Sequence, residues 1–172
     1  MIITISGKAR HGKDTCADIL KVLLEKRGLR VAITRYSDHI KRMYSTYFGW
    51  DGEKTEEART FLQWLGTEHI RATDPNFHVR RTFEDCEILK DSFDIFLIPD
   101  ARFENELVGD FNIKVVQTDY KSELTEAQQL HESETALDNF KDFDFIVTAA
   151  SGDFESIKNQ LEFFITYGAQ YE

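Results

Sequence analysis

Residues 7–15 read Gly-Lys-Ala-Arg-His-Gly-Lys-Asp-Thr, and this stretch decides the fold that the sequence predicts. It follows the apolar run at residues 1–5 and leads into a helical pattern at residues 14–20. A strand, a glycine loop and a helix in this order are the context of a phosphate-binding P-loop. The two glycines let the backbone approach an anion, and the loop N–H groups and the helix N-terminus would surround it. The alternative interpretation is a glycine-rich turn without a ligand.

The residues at the end of this loop are candidates for binding phosphate and metal. Lys13 would reach the β- and γ-phosphates of a nucleotide. The usual pattern places Ser or Thr directly after the lysine as a magnesium ligand, whereas here Asp14 stands there and Thr15 follows. Magnesium prefers hard oxygen ligands, so both are candidates. Asp100 follows an apolar stretch and is a third candidate, either holding the metal through water or acting only as a cap.

Composition narrows the class of protein. The 172 residues predict one domain, and 41% hydrophobic residues suffice for a sizeable core. The chain carries 21 basic and 31 acidic side chains, a net charge of −10 that argues against a nucleic-acid polymer as partner. No stretch approaches 18 consecutive apolar residues, so we expect no membrane partner. Cys16 and Cys86 lack metal or redox spacing, which favours buried thiols in the cytoplasm.

Strand-like and helix-like segments alternate along the chain. Strands are predicted near residues 2–6, 29–34, 93–98, 113–117 and 143–147. Helices are predicted near residues 13–27, 37–48, 54–90 with a break at Asp74-Pro75, and 153–168. This alternation predicts an α/β fold with a five-stranded, mainly parallel sheet and helices on both faces. Ligands bind at the carboxyl ends of the strands in such folds.

Several polar side chains would lie near that edge. Arg102 could clamp phosphate oxygens bidentately, or could form a surface ion pair with Glu104 or Glu106. Asp38 follows the second strand and is either a helix N-cap or a carboxylate near a phosphoryl acceptor. Gln63 has both a donor and an acceptor and could read the edge of a base.

Two further groups of residues have simple structural interpretations. Glu68 and Arg71 are three apart, the spacing of an ion pair on a helix surface. His131-Glu132-Ser133-Glu134 is typical of a helix start.

Taken together, these segments resemble the phage-type deoxynucleoside monophosphate kinases, a branch of the P-loop nucleotide kinases. The resemblance covers nearly the whole chain and includes the Gly-Lys-Asp-Thr ending of the loop. It continues through Tyr-Ser-Asp-His-Ile-Lys at 36–41, Leu-Gln-Trp-Leu-Gly-Thr-Glu-His-Ile-Arg at 62–71, Asp-Ala-Arg-Phe-Glu-Asn-Glu at 100–106, His-Glu-Ser-Glu at 131–134 and the strand at 143–147.

The resemblance implies transfer of the γ-phosphoryl group of ATP, with Mg²⁺, to a deoxynucleoside 5′-monophosphate. It implies one kinase domain over residues 1–172, with a helical substrate-binding region at about 36–90 and a lid at about 118–135. Nucleotide binding would fall to Gly7, Lys8, Ala9, Arg10, His11, Gly12, Lys13, Asp14, Thr15 and Cys16. Acceptor binding would fall to Asp38, Lys41, Gln63, Arg71 and Arg102, and catalysis to Lys13, Asp38, Arg71 and Arg102. The metal ligands would be Asp14, Thr15 and Asp100. The expected location is the cytoplasm, of the host if the protein is phage-encoded, and a homodimer is one expectation for assembly.

Two departures from the family pattern bear on the substrate. His78 stands where that family often has tryptophan, and Lys121 is the nearest cation to a lid position that often carries arginine. Two alternatives therefore stay open. One is a P-loop kinase of another phosphorylated metabolite, of the phosphomevalonate or dephospho-coenzyme A type. The other is a nucleotide-gated binding module that phosphorylates nothing.

Overall fold

The protein was analysed as a computed structural model that describes residues 1–122 and 124–168. The strands are β1 (Ile2–Ser6), β2 (Val31–Ile33), β3 (Ile95–Ala101), β4 (Phe111–Gln117) and β5 (Phe145–Ala149). The helices are α1 (Lys13–Glu25), α2 (Asp38–Phe48), α3 (Glu56–Gln63), α4 (Phe77–Leu89), α5 (Glu126–Leu130), α6 (Glu132–Thr135) and α7 (Phe154–Phe163). Two π-helical segments, Trp64–Arg71 and Phe164–Gly168, continue α3 and α7, and a 3₁₀ turn covers Glu104–Glu106.

The five strands form one sheet in the order β2-β3-β1-β4-β5. All four pairings are parallel, and Ile3 of β1 lies opposite Leu97 of β3 and Phe111 of β4. The predicted α/β fold with a five-stranded parallel sheet is therefore confirmed. Because β1 lies in the middle with β3 beside it, the loop after β1 and the residues that end β3 meet at one edge.

Helices cover both faces of this sheet, as predicted. On one face, α1 and α7 pack together over the larger core, and α1 contributes Cys16, Leu20 and Leu24 at helical spacing. On the other face, Val79 and Phe83 of α4 pack against a smaller core of Tyr36, Ile98 and Ala101. Among the described residues, no helix is long and apolar enough to cross a membrane.

Strand β3 extends further than the sequence predicts. The apolar pattern ended at Ile98, but the strand continues through Ala101. Its register with β1 shifts between Thr4 and Ser6, so β3 carries one extra residue beside Pro99. Proline has no N–H to donate to the ladder, and bulges accommodate it. The bulge lets Asp100 and Arg102 emerge at the end of the sheet beside the glycine loop.

The other boundaries differ by a few residues. β5 begins at Phe145, two residues later than predicted, and the break at Asp74-Pro75 falls between the π-helical segment and α4. The expected lid at 118–135 contains α5 and α6, while its residue 123 lies outside the described residues. Residues 169–172 of the expected single domain also lie outside them.

Candidate active site

A cavity of about 530 Å³ lies over the glycine loop and the end of β3. Eight of its lining residues are basic: Arg10, Lys13, Arg35, Lys41, Lys54, Arg59, Arg71 and Arg102. Five are acidic: Asp14, Asp38, Asp100, Glu106 and Glu134. The chain as a whole has a net charge of −10, so this excess of cations is local. Such a lining suits anionic ligands.

Two glycines shape the loop at residues 7–12. A Cβ on Gly7 would lie 2.5 Å from the carbonyl oxygen of Val115, so only glycine fits where the loop leaves the sheet. Gly12 has φ +87° and is the N-cap of α1. Arg10 also adopts a left-handed backbone, with φ 60°, which is uncommon outside glycine. The loop therefore makes the tight turn after β1 that brings its backbone close to a bound anion.

Lys13 is the first residue of α1 and is buried at the base of the loop. Its side-chain nitrogen donates to the carbonyl oxygen of Lys8 over 2.7 Å, and the residue is 8% exposed. Burial lowers the pKa of Lys13 to about 7, and the nearby charge of Arg102 acts in the same direction. The amine is thus held where an incoming anion would restore its full charge.

This pKa predicts proton uptake when a phosphorylated nucleotide binds. At pH 8 Lys13 is mostly neutral in the free protein, because its pKa is about 7. A phosphate against the amine favours the charged form, so binding at pH 8 should take up about 0.9 proton. At pH 6 Lys13 is already charged, and the uptake should fall to about 0.1 proton.

Titration calorimetry in buffers of different ionisation enthalpy measures this uptake as a slope. A Lys13→Met variant is the control and should take up no proton at Lys13. A slope near zero for the wild-type protein at pH 8 would show that nucleotide binding leaves the Lys13 amine unchanged.

The candidate metal ligands already have polar partners. Asp14 forms a 2.7 Å ion pair with Arg35, and Asp100 accepts the backbone N–H groups of Tyr36 and Ser37 at 2.9 and 3.0 Å. Within residues 1–122 and 124–168, no group of three or more Asp, Glu, His or Cys side chains is arranged to hold a metal. Magnesium often binds through one or two carboxylates together with substrate phosphates, and Asp14 and Asp100 at the cavity fit that pattern. Thr15 is half-buried and lies outside the cavity lining.

One predicted nucleotide contact, Cys16, lies outside the cavity lining. The thiol of Cys16 is fully buried in the core between α1 and the sheet, and its backbone N–H donates to the carbonyl oxygen of Gly12 over 2.8 Å. The cause is helical geometry: one turn into α1, the side chain turns towards the sheet and the amide is used within the helix. Burial raises the pKa of this thiol to about 12.

Arg102 reaches across to the lid segment. Its Nη1 lies 2.5 Å from Oε1 of Glu134, and Oε2 of the same carboxylate accepts the backbone N–H of Ala9 over 2.9 Å. The predicted alternative, an ion pair with Glu104 or Glu106, is wrong, because the Glu106 carboxylate instead accepts the backbone N–H groups of residues 102 and 103. Glu134 thus joins Arg102 to the glycine loop.

Arg71 lines the cavity but is heavily engaged in the fold. It forms an ion pair with Glu106, donates to Asn105 and Pro75 over 3.0 and 3.1 Å, and lies 3.8 Å from the ring centroid of Phe103. The predicted surface pair with Glu68 is therefore wrong, since the side chain of Arg71 is only 11% exposed. Few of its donors are free to bind an acceptor.

The remaining predicted acceptor residues lie together in the cavity lining. Asp38 is the first residue of α2, and Ser37 is therefore the N-cap. The carboxylate of Asp38 lies 3.9 Å from the side-chain nitrogen of Lys41. Gln63 lines the cavity from the end of α3. Lys8, which was predicted to bind nucleotide, instead pairs with Asp138 at 2.9 Å, just beyond the lid segment.

His78 and His11 have lowered pKa values. His78 is 4% exposed, and its Nε2 lies 3.1 Å from the carbonyl oxygen of Gly66, which can only accept. Burial lowers the pKa of His78, so we assign it a neutral ring with the proton on Nε2. Burial and the charge of Lys13 likewise lower the pKa of His11.

Among the lining residues to which the sequence interpretation gave no role in the site are Arg35, Trp50 and Glu134. Arg35 follows β2, and the rule that ligands bind at strand ends could have found it. Trp50 stood in a predicted turn, and Glu134 stood in a predicted helix start. Neither pattern carries a signal for a site, because both residues reach the cavity through long-range packing.

The family model of phosphomevalonate kinase matches residues 5–116, from the end of β1 to β4. An APS kinase of Mycobacterium tuberculosis is 14% identical, with 96% of this chain and 94% of that chain covered and a TM-score of 0.48. A protein named APE1195 is also 14% identical, with 98% and 97% covered and a TM-score of 0.44.

The matched residues contain the glycine loop, Asp100 and Arg102, and they exclude the lid segment. The expectation of a kinase is confirmed, whereas the resemblance to deoxynucleoside monophosphate kinases stays a prediction. The match covers well over half of the 172 residues, and the chain therefore belongs to the phosphomevalonate kinase family.

Proposed function

We propose that the protein transfers the γ-phosphoryl group of ATP to a deoxynucleoside 5′-monophosphate and forms the diphosphate. The observation that carries this proposal is the cavity itself, where eight cations and an aromatic wall surround space beside a P-loop. Phosphoryl transfer requires alignment of donor and acceptor and neutralisation of charge, with little covalent chemistry by the protein. The cavity offers both.

We assign the nucleotide end of the cavity to the glycine loop. Lys13 would neutralise phosphate charge, and Asp14 and Asp100 would hold Mg²⁺ together with water and phosphate oxygens. Bound magnesium supplies charge neutralisation between the phosphates. Arg102 can add a planar fork on the phosphoryl group that moves. Because Thr15 lies outside the lining, we rank it below the two carboxylates as a metal ligand.

The far end of the cavity suits a planar base. Trp50 lines it and stacks on Tyr44 with ring centroids 5.2 Å apart, and Tyr44 stacks on Phe61 at 4.2 Å. The indole Nε1 donates to the carbonyl oxygen of Glu53 over 2.8 Å, which fixes the ring. Stacking of a base on an aromatic side chain contributes about 1–3 kcal/mol. Gln63 on the same lining would then hydrogen-bond the base edge.

A Gln63→Leu variant tests this assignment. The loss of a base-edge hydrogen bond should lower kcat/KM for the preferred monophosphate by about 10- to 100-fold, because a buried polar edge loses its partner. The Kd for MgATP should stay unchanged. Activity on deoxyribose 5-phosphate, which has no base, should also stay unchanged, and both quantities can be measured by a coupled assay and calorimetry.

Thr60→Ala is the matched control, since Thr60 lies on the exposed side of the same helix. An equal loss on the monophosphate and on deoxyribose 5-phosphate would place Gln63 away from the base.

A second candidate acceptor is phosphomevalonate, and the family match favours it. This aliphatic molecule carries a phosphate and a carboxylate, and Lys41 and Arg59 are cavity cations that are not assigned to the nucleotide end. It has no planar ring to stack on Trp50, and for that reason we place it second.

A homodimer and a location in the cytoplasm remain predictions of the sequence.

A further inference from the structure

The most unusual side chain of the cavity is Glu134. It lies on α6, a helix of only four residues, yet its side chain is 6% exposed. One carboxylate oxygen accepts the N–H of Ala9 in the phosphate loop over 2.9 Å. The other lies 2.5 Å from Nη1 of Arg102. Each carboxylate oxygen of Glu134 thus accepts from a donor, Ala9 N–H or the Arg102 guanidinium, that would bind phosphate in the proposed reaction.

A backbone N–H and a guanidinium therefore converge on the Glu134 carboxylate. A phosphate oxygen, like a carboxylate oxygen, accepts charge-assisted hydrogen bonds from N–H groups and from arginine.

Two anions cannot share these donors. The Ala9 N–H can donate well to one oxygen, and a second negative group in a partly buried site would repel the first. A phosphate that takes Ala9 and Arg102 must therefore displace the Glu134 carboxylate.

Apart from the two bonds of its own carboxylate, the segment around Glu134 is held by bonds that are long or partly exposed to solvent, and His131 lies 3.9 Å from Glu68. Lys8 and Asp138 form a half-exposed ion pair at 2.9 Å, and Arg102 is 3.4 Å from the carbonyl oxygen of Ser133.

We propose that Glu134 is the internal anion of the phosphate site: it positions Arg102 and the loop in the ligand-free protein and is exchanged for a phosphate of the nucleotide. This inference rests on the proposed binding of ATP at the loop. If the paired state is favoured about tenfold over the open one, the apparent affinity for nucleotide is lowered about tenfold. Nucleotide binding and release of the α6 segment are then coupled.

The test is the Kd for MgATP, measured by calorimetry without any acceptor, for the wild-type protein and Glu134→Gln. Glutamine keeps the shape and removes the charge, so its Kd should be about tenfold lower than that of the wild type. Glu134→Asp, which is one methylene shorter, should bind MgATP more tightly as well. Glu132→Gln is the control, because Glu132 lies on the same helix but is exposed, and its Kd should not change.

Hydrogen exchange distinguishes displacement of the α6 segment from a general effect of the charge removed in Glu134→Gln. The amides of Glu134 and Ala136 donate to the carbonyl oxygens of His131 and Glu132 at 2.9 Å each. Adding MgATP to the wild-type protein should speed their exchange, because the displaced segment opens. In Glu134→Gln the exchange should be fast already.

Weaker or equal MgATP binding by both variants, or slower exchange in the wild type, would overturn the inference and leave the proposed function intact. A wild-type protein that binds no MgATP would overturn the proposed function as well.

Discussion

Replacing Lys13 by methionine is expected to lower kcat by about 10³-fold or more, the largest effect of any single change in the site. A single well-placed donor to developing charge contributes on the order of 10²–10³-fold, and Lys13 also orders the loop through its bond to Lys8. Steady-state kinetics on the preferred acceptor measures this loss. Methionine retains the length and packing of the side chain, so circular dichroism should show an unchanged fold.

The stability of this variant should depend on pH in a defined direction. The pKa of Lys13 in the folded protein, about 7, lies below the 10.5 of an ordinary lysine in water. Below pH 7 the amine is charged in both states and the full cost of its burial is present; that cost disappears as pH rises towards 10.5. Lys13→Met should therefore gain more in Tm at pH 6 than at pH 10.

Lys21→Met, a half-exposed change on the same helix, is the control for both measurements. A Lys13→Met variant that keeps more than a tenth of kcat would remove Lys13 from the phosphoryl-transfer site.

Changing Arg102 should give the second-largest effect. Arg102→Lys keeps the charge but loses the planar fork, and kcat should fall about 10²-fold. Arg102→Ala loses both, and kcat should fall about 10³-fold, the lower end of what an arginine contributes to phosphoryl transfer. Single-turnover kinetics with saturating MgATP isolates the chemical step.

Because Arg102 pairs with the buried carboxylate of Glu134, its replacement needs a control for folding. Alanine at position 102 leaves the Glu134 carboxylate without its guanidinium, so thermal melts must show that the variant is folded at the assay temperature. Arg81→Lys is the matched control substitution, since Arg81 is a partly exposed residue of α4 that pairs with Glu84. Full single-turnover rates in both Arg102 variants would exclude Arg102 from catalysis.

The sequence predicts the sheet and the glycine loop well because their signals are local. The apolar run of β1, the glycines at 7 and 12 and the helical spacing of α1 lie within 25 residues of each other. The bulge at Pro99 was missed because its register depends on β1, almost a hundred residues earlier. The alternation of elements predicted a parallel sheet but no strand order, and the order β2-β3-β1-β4-β5 comes from the structure.

The side-chain partners in the site were less predictable. Local spacing suggested pairs between Arg102 and Glu104 or Glu106, and between Glu68 and Arg71. The actual partner of Arg102 is Glu134, 32 residues away, and that of Arg71 is Glu106, 35 residues away. Ion pairs a few residues apart contribute little, so tertiary packing decides which partners meet.

The measurement that tests the central claim most directly is product analysis. The protein is incubated with MgATP and, separately, with each common deoxy- and ribonucleoside monophosphate and with phosphomevalonate, and the products are separated by anion-exchange chromatography. We predict a diphosphate from at least one deoxynucleoside monophosphate at the highest kcat/KM, with ribonucleotides weaker by about 10²-fold at most, since a pocket rejects an added hydroxyl only modestly. Turnover of phosphomevalonate alone, or ATP binding without any phosphorylated product, would contradict the account.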